Sequence, residues 1–188
     1  MSGEGPAPRD KGLLRRSFDA AAAAYDAHAD LQRRVADELL ARLDYIRIDP
    51  GAVADLGCGT GYCTRALSKR YSRARVTALD LSPAMVAKAR RRGPRWRRRP
   101  LYLVGDLERP PLAEGALDLA FSSLTLQWVE DLPGCFEGLR RCMRPGGLLL
   151  FSTFGPDTLV ELRAAWAAID DRVPVNPFPD MHDVGDLL

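Results

Sequence analysis

The apolar positions follow two regimes along the chain. Over residues 13–43, Leu31, Val35, Leu39 and Leu43 recur every four places, the spacing of one sticky helix face. This run predicts a helix broken near Asp26–Asp30. After Pro50 the pattern changes to short apolar blocks separated by amphipathic stretches. The blocks at 52–56, 75–79, 101–105, 117–122 and 147–153 read as strands, and the stretches at 62–71, 83–92 and 133–143 read as helices. The last of these helices is expected to stop at the Arg-Pro-Gly-Gly turn before the fifth strand. A further helix opens at Phe154–Asp157, with Pro156 suited to a first turn, and runs to Asp171. The end of the chain is broken by prolines and closes in a short helix. Alternating strands and helices imply an α/β fold: a mostly parallel sheet with right-handed crossovers and helices on both faces. The helix ahead of the first strand has no part in building that sheet and is free to cover its mouth.

The stretch that organises the rest is Val53–Gly61, VADLGCGTG. Val53, Ala54 and Leu56 suit a strand buried on both faces, and Asp55 stands near its carboxyl end. Gly57, Gly59 and Gly61 then let the backbone turn sharply and let a ligand approach it closely. Strand, glycine turn and helix place a ligand at the carboxyl end of the strand. The spacing is not the GxGxxG that holds a pyrophosphate on a helix N-terminus. A carboxylate at position 55 repels phosphate and suits a cation. Asp80 follows Gly61 by 19 residues, one helix plus one strand, where a carboxylate accepts both hydroxyl hydrogens of a ribose. Ser82 before Pro83 already suits the cap of the next helix. After the third strand, the Asp106 carboxylate and the Leu107 N–H can read an adenine amino group and ring nitrogen. Ser123 stands where the fourth strand leaves the sheet. Each feature also has a plainer reading, as a glycine-rich turn or a cap or turn aspartate.

Composition narrows the class. At 188 residues, with 46% hydrophobic and 28% charged residues, the chain reads as one globular domain. A Gly/Pro-rich tail expected to be disordered occupies 1–12, and the domain runs over 13–188. No stretch is apolar and long enough to span a membrane, and the N-terminus has no apolar signal core. The four cysteines, Cys58, Cys63, Cys135 and Cys142, form no CxxC pair, and there are only two histidines. No metal site is expected, and the setting is a reducing cytoplasm. The net charge of +2 is uneven: residues 90–99 read RRRGPRWRRR, with no acid, so the remainder is net acidic. That run is read first as a solvated surface, then as a docking patch for an acidic protein, and last as a nucleic-acid contact.

The glycine loop resembles motif I of the class I S-adenosylmethionine (SAM) methyltransferases. Three further stretches, Phe18–Arg34 (FDAAAAAYDAHADLQRR), Ser122–Pro133 (SSLTLQWVEDLP) and Phe151–Arg163 (FSTFGPDTLVELR), narrow the resemblance to the malonyl-[acyl-carrier protein] O-methyltransferases of biotin biosynthesis. The resemblance implies a Rossmann-like class I fold with N-terminal lid helices over 13–45, a SAM-binding core over 52–154, and a C-terminal helix with an incomplete substrate region over 155–188. It implies SAM as cofactor, held by Asp55, Gly57, Gly59, Gly61, Asp80, Leu81, Asp106, Leu107 and Ser123. Tyr25 and Trp128 become walls of the methyl-transfer pocket, and His28 and Gln32 belong to the lid and substrate side. The implied partner is malonyl-acyl-carrier protein, with Arg90–Arg99 as one place for it to dock. The implied reaction is methyl transfer to the free malonyl carboxylate. That carboxylate is ionised at pH 7, so the site needs alignment and exclusion of water rather than a general base. An arginine for the carboxylate is expected on physical grounds, and the sequence singles none out. The family continues several dozen residues beyond position 188 and there supplies two more strands. The resemblance therefore implies that these strands are missing here and that the fifth strand is an open edge. Three alternatives stay open: another small-molecule methyltransferase on this fold, an arginine-modifying complex I assembly factor sharing the SSL-x-L-x-W and DTL patterns, and a non-catalytic SAM-binding fragment.

Overall fold

Val53, Ala54 and Leu56 have no solvent exposure in β1 (Ala52–Leu56), as an unbroken apolar strand in the middle of a parallel sheet requires. The computed structural model describes residues 10–94, 98–169 and 178–188. These divide into one unit up to Ser152 and a second from Thr153. The first unit opens with α1 (Lys11–Ala21), a 3₁₀ turn at Tyr25–Ala27 and α2 (Asp30–Arg42). The break expected near Asp26–Asp30 is therefore present. The first helix starts earlier than its apolar pattern suggests. Lys11 and Gly12, assigned to the tail, lie inside it because the Asp10 carboxylate caps the Gly12 and Leu13 amides. The rest of that tail lies outside the described residues.

After β1 come α3 (Tyr62–Arg70), β2 (Arg75–Asp80), α4 (Pro83–Arg92), β3 (Leu101–Val104), β4 (Leu117–Ser123), α5 (Leu132–Cys142) and β5 (Met143–Ser152). All ladders are parallel, and the strand order is β3-β2-β1-β4-β5. Local chemistry sets the helix starts. Ser82 Oγ accepts from the Met85 amide with Pro83 in the first turn, and Asp131 caps the Gly134 amide ahead of α5.

Partners across a parallel ladder share a face, so Val53, Val76 and Leu119 look to one side. There they pack with Leu39 of α2, Leu43 just after it and Leu67 of α3. Ala78, on the same face of β2, packs with Val86 and Ala89 of α4. Phe151, out of step with Leu150 by one residue, meets Phe136 of α5 at 5.8 Å between ring centres. The sheet thus carries helices on both faces, as expected.

The junction of α5 and β5 departs from the sequence reading. Arg144-Pro145-Gly146-Gly147 was expected as a turn ahead of a strand at 147, whereas β5 begins at Met143. The ladder pairs Leu117 with Met143 and then Leu119 with Leu148. The intervening residues bulge out because Pro145 has no N–H to donate and Gly146 takes φ 77°. Asp118 anchors the bulge through Arg144 at 2.7 Å.

The second unit holds α6 (Val160–Ala167) and α7 (Met181–Gly185). Phe154 and Phe178 meet edge-on at 5.3 Å. The helix expected from Phe154–Asp157 begins only at Val160. Arg163 bonds the Pro156 and Thr158 carbonyls and holds that stretch as turns.

Gly61 caps α3 at φ 81°, and a Cβ there would lie 2.9 Å from Ala89 Cβ and 3.2 Å from Ala89 Cα. The start of α3 therefore lies directly against Ala89 of α4. Gly61→Ala combines a left-handed strain with a clash against backbone, so it should destabilise the fold by roughly 1–3 kcal/mol. The check is a lower urea midpoint at unchanged m-value.

Candidate functional site

The carboxyl ends of β1, β2, β3 and β4 open into one cleft roofed by the N-terminal segment. Of the residues singled out in the sequence, Tyr25, Gln32, Asp55, Gly57, Gly59, Asp80, Leu81, Asp106, Leu107, Ser123 and Trp128 line it. Gly61 does not, since its work is the packing contact with Ala89. His28 ends the 3₁₀ turn with its side chain exposed, off the cleft wall.

The floor is the glycine loop. Gly57 and Cys58 donate to the Leu79 carbonyl at 2.8 and 2.9 Å, which ties the loop to the end of β2. At Gly57 (φ 75°) a Cβ would fall 2.0 Å from Thr125 Oγ1. Thr125 in turn bonds the Leu56 carbonyl at 3.2 Å. Gly59 (φ 51°) has nothing within 4 Å of where a Cβ would stand, so its open side belongs to the cleft.

Asp80 is clasped by backbone amides. Gly59 N–H donates to Oδ2 and Ser82 N–H to Oδ1, both at 2.8 Å. Burial pushes its carboxyl above the ordinary value, and the two amides pull it back only in part. Asp55 is more extreme. It is buried, and its one side-chain partner is the Thr64 hydroxyl. Burial raises its carboxyl to about 7, against the Thr64 bond and with help from the neighbouring Asp80 charge. Burial also holds the Cys58 and Cys63 thiols well above their usual value, so neither is a thiolate nucleophile at neutral pH.

The roof is bolted on by side chains that the sequence did not single out. The Asp19 carboxylate accepts from Ser82 Oγ at 2.5 Å and the Ala84 amide at 3.1 Å, at the N-terminus of α4. Asp26 accepts from Thr60 Oγ1 at 2.6 Å and pairs with Lys88 at 2.8 Å and Arg92 at 2.6 Å. Burial opposes its ionisation, but these bonds outweigh it and hold its carboxyl down at about 2. Lys88 also donates to the Ala22 and Ala23 carbonyls at 2.6 and 2.9 Å. Lys11 reaches Asp106 at 2.5 Å and Glu108 at 2.8 Å, so the acid expected at an adenine edge already carries an ion pair. The available signal was the isolation of these acids: Asp19 and Asp26 flank a run of alanines, where a lone carboxylate must find its partner elsewhere.

The remaining walls are aromatic and amide. Phe18 meets Trp128 edge-on at 5.3 Å between ring centres. Burial and the nearby Asp80 charge raise the Tyr25 phenol, keeping it protonated. Gln32 Oε1 is buried with no hydrogen-bond partner among the described residues, an acceptor that calls for an incoming N–H donor. Arg33 also lines the cleft, with Nη2 on the Asp26 carbonyl. All four cysteines are free. No helix among the described residues is long and apolar enough to cross a membrane.

The chain was compared with known proteins. It is 52% identical over 179 residues to a malonyl-[acyl-carrier protein] O-methyltransferase of Halorhodospira halophila, an alignment covering 95% of this chain and 60% of that protein. A protein of the same name from Laribacter hongkongensis is 48% identical, over 95% of this chain and 63% of its own length. The chain therefore spans about three fifths of these curated relatives. Among solved structures, DhpI in complex with SAH superposes with a TM-score of 0.64 at 30% identity, covering 79% of this chain and 71% of DhpI. The methyltransferase in the Haloferax volcanii complex with the Trm112 activator superposes with a TM-score of 0.76 at 26% identity, covering 93% and 73%. Residues 54–151 match the family model described as a methyltransferase domain, a span that begins in β1, takes in the whole glycine loop and ends in β5, and the chain belongs to that family.

Proposed function

We propose that the chain binds SAM in this cleft and transfers its methyl group to the free carboxylate of a malonyl thioester on acyl-carrier protein, in the cytoplasm, as a step toward biotin. The observation that carries the reading is a pair of carboxyls at the end of the sheet, the buried Asp55 and the half-buried Asp80, with no cationic side chain paired to either among the described residues. Such a site repels phosphate and welcomes a ligand with fixed positive charge. The shape supports the same ligand: Gly59 leaves room for backbone approach, and Gln32 Oε1 waits for a donor such as an α-ammonium. Asp80 is our ribose residue, and Asp106 with Leu107 our adenine edge, which requires Lys11 to share or yield Asp106.

When bound, SAM supplies a methyl carbon on a sulfonium, electrophilic enough to need no activation. What remains for the protein is positioning. Tyr25, Phe18 and Trp128 form an aromatic wall at the mouth and exclude water from it. Arg33 is our candidate for the malonyl carboxylate, being the one arginine among the described residues that lines the cleft. A carboxylate oxygen attacks without prior proton loss, which agrees with a cleft whose thiols and phenol stay protonated. The names of the relatives support this acceptor over the other small-molecule and arginine-modifying alternatives.

The deciding assay offers labelled SAM with malonyl- and acetyl-carrier protein. Transfer to malonyl alone is expected, and transfer to both or to neither refutes the acceptor. Asp80→Ala should weaken SAM binding by calorimetry roughly ten- to hundredfold, the scale of losing hydrogen bonds to a charged group. An unchanged affinity in a folded variant would remove Asp80 from the ribose role. SAM affinity should also depend on pH. In the free site the raised Asp55 carboxyl is protonated below about 7, and a bound cation favours its ionised form, so binding releases a proton. Affinity should therefore rise as pH rises toward 7. The same linkage lowers the stability of the free protein over that range, because the folded state holds the proton more tightly than the unfolded chain. Asp55→Asn should flatten both profiles.

A further inference from the structure

A second concavity lies beside the first, between α3 and the residues that follow α4. Its polar lining is Arg65, Ser68 and Lys69 of α3, Ser72 just beyond it, Arg92 and Arg98. Four of these are cations, and no acid among the described residues lines the groove. Of the four, only Arg92 has a carboxylate partner among the described residues, Asp26. Like charges gathered in one depression repel each other, and the arrangement attracts an anionic surface.

The groove shares a rim with the cleft. Arg65 Nη1 donates to the Thr60 carbonyl at 3.3 Å, and Arg92 Nη1 to Asp26 Oδ2 at 2.6 Å. Thr60 and Asp26 both line the cleft. The described arginines of the arginine-rich stretch point in several directions. Arg90 folds back over the Tyr102 ring and its carbonyl, Arg92 holds the roof, Arg98 faces the groove, and Arg95–Arg97 lie outside the described residues. The groove's other two cations come from α3, which no sequence run connects to the stretch.

We propose that this groove is the docking site for an acidic face of the protein that carries the acyl group, set so that the thioester arm enters the adjoining cleft. The proposal rests on the acceptor reading above. A carrier is favoured over a polynucleotide because two of the groove's cations are bonded to residues of the proposed acyl-accepting cleft and no aromatic side chain among the described residues lines the groove for base stacking.

Lys69→Glu/Arg98→Glu is the discriminating variant, since neither residue touches the cleft. Its KM for malonyl-carrier protein should rise about tenfold or more, with kcat unchanged. SAM affinity and turnover of malonyl-N-acetylcysteamine, which has no protein surface, should stay as in the parent. Lys69→Arg/Arg98→Lys should behave as the parent, and the parent's carrier KM should climb with salt while the small thioester's does not. Direct titration of malonyl-carrier protein by fluorescence anisotropy should show the same loss without turnover. Equal carrier affinity in parent and variant overturns the docking site, as does a groove-dependent affinity for single-stranded RNA exceeding that for the carrier. Absence of methyl transfer to either acceptor, with groove-dependent carrier binding intact, would instead overturn the acceptor reading alone.

Discussion

The electrostatic strain between Asp55 and Asp80 is what the rest of the molecule is arranged around. The two carboxyls stand on neighbouring strands, Asp55 buried and Asp80 half-buried; loss of solvation raises both, and the Asp80 charge raises Asp55 further. The protein answers with dipoles instead of cations: the Thr64 hydroxyl at Asp55, and the Gly59 and Ser82 amides at Asp80. Those amides are available only because the loop turns through left-handed glycines and because Ser82 begins α4. Loop, helix start and sheet edge therefore hold one another in place, and the charge left uncompensated is available to a ligand.

The N-terminal segment completes this arrangement from above. Its helices carry little apolar surface into the core along α1, where no residue is buried. α2 packs Ala36 and Leu39 into the core, whereas α1 and the turn that follows it are held by discrete polar ties to α4, the glycine loop and the residues after β3. A roof fastened by hydrogen bonds and ion pairs has lower local stability than the sheet beneath it, and its fastenings sit on the elements that form the cleft. Asp26 and Lys11 make the ties nearest the cleft, through Thr60 and through Asp106 and Glu108, which line it.

Much of this was legible in the chain. β1, β2, α4 and β4 could be read because apolar blocks, a Ser-Pro start and alternating elements all pointed the same way. The floor of the site followed from the loop spacing and the distance to Asp80. What could not be read are effects of long-range contact. Gly61 looks like its two neighbours in sequence, yet it serves α3–α4 packing, because that role depends on Ala89. Thr125 and Lys11 have no local pattern, since their partners lie far along the chain. The Arg-Pro-Gly-Gly segment carries turn residues, and only the pairing with β4 reveals that the strand runs through them.

That last segment has an evolutionary reading. Leu117 faces Met143 and Leu119 faces Leu148, so the ladder re-forms after the bulge with Ser152 still placed to accept the Leu124 amide at 3.0 Å. Leu124, at φ 51°, leads straight into Thr125 and the floor of the cleft. The bulge is therefore a length buffer. Residues gained or lost between Met143 and Leu148 change the size of a surface loop and leave the strand register, and with it the site, where they were. Insertions and deletions in related chains should collect there and avoid the equally glycine-rich loop at the end of β1.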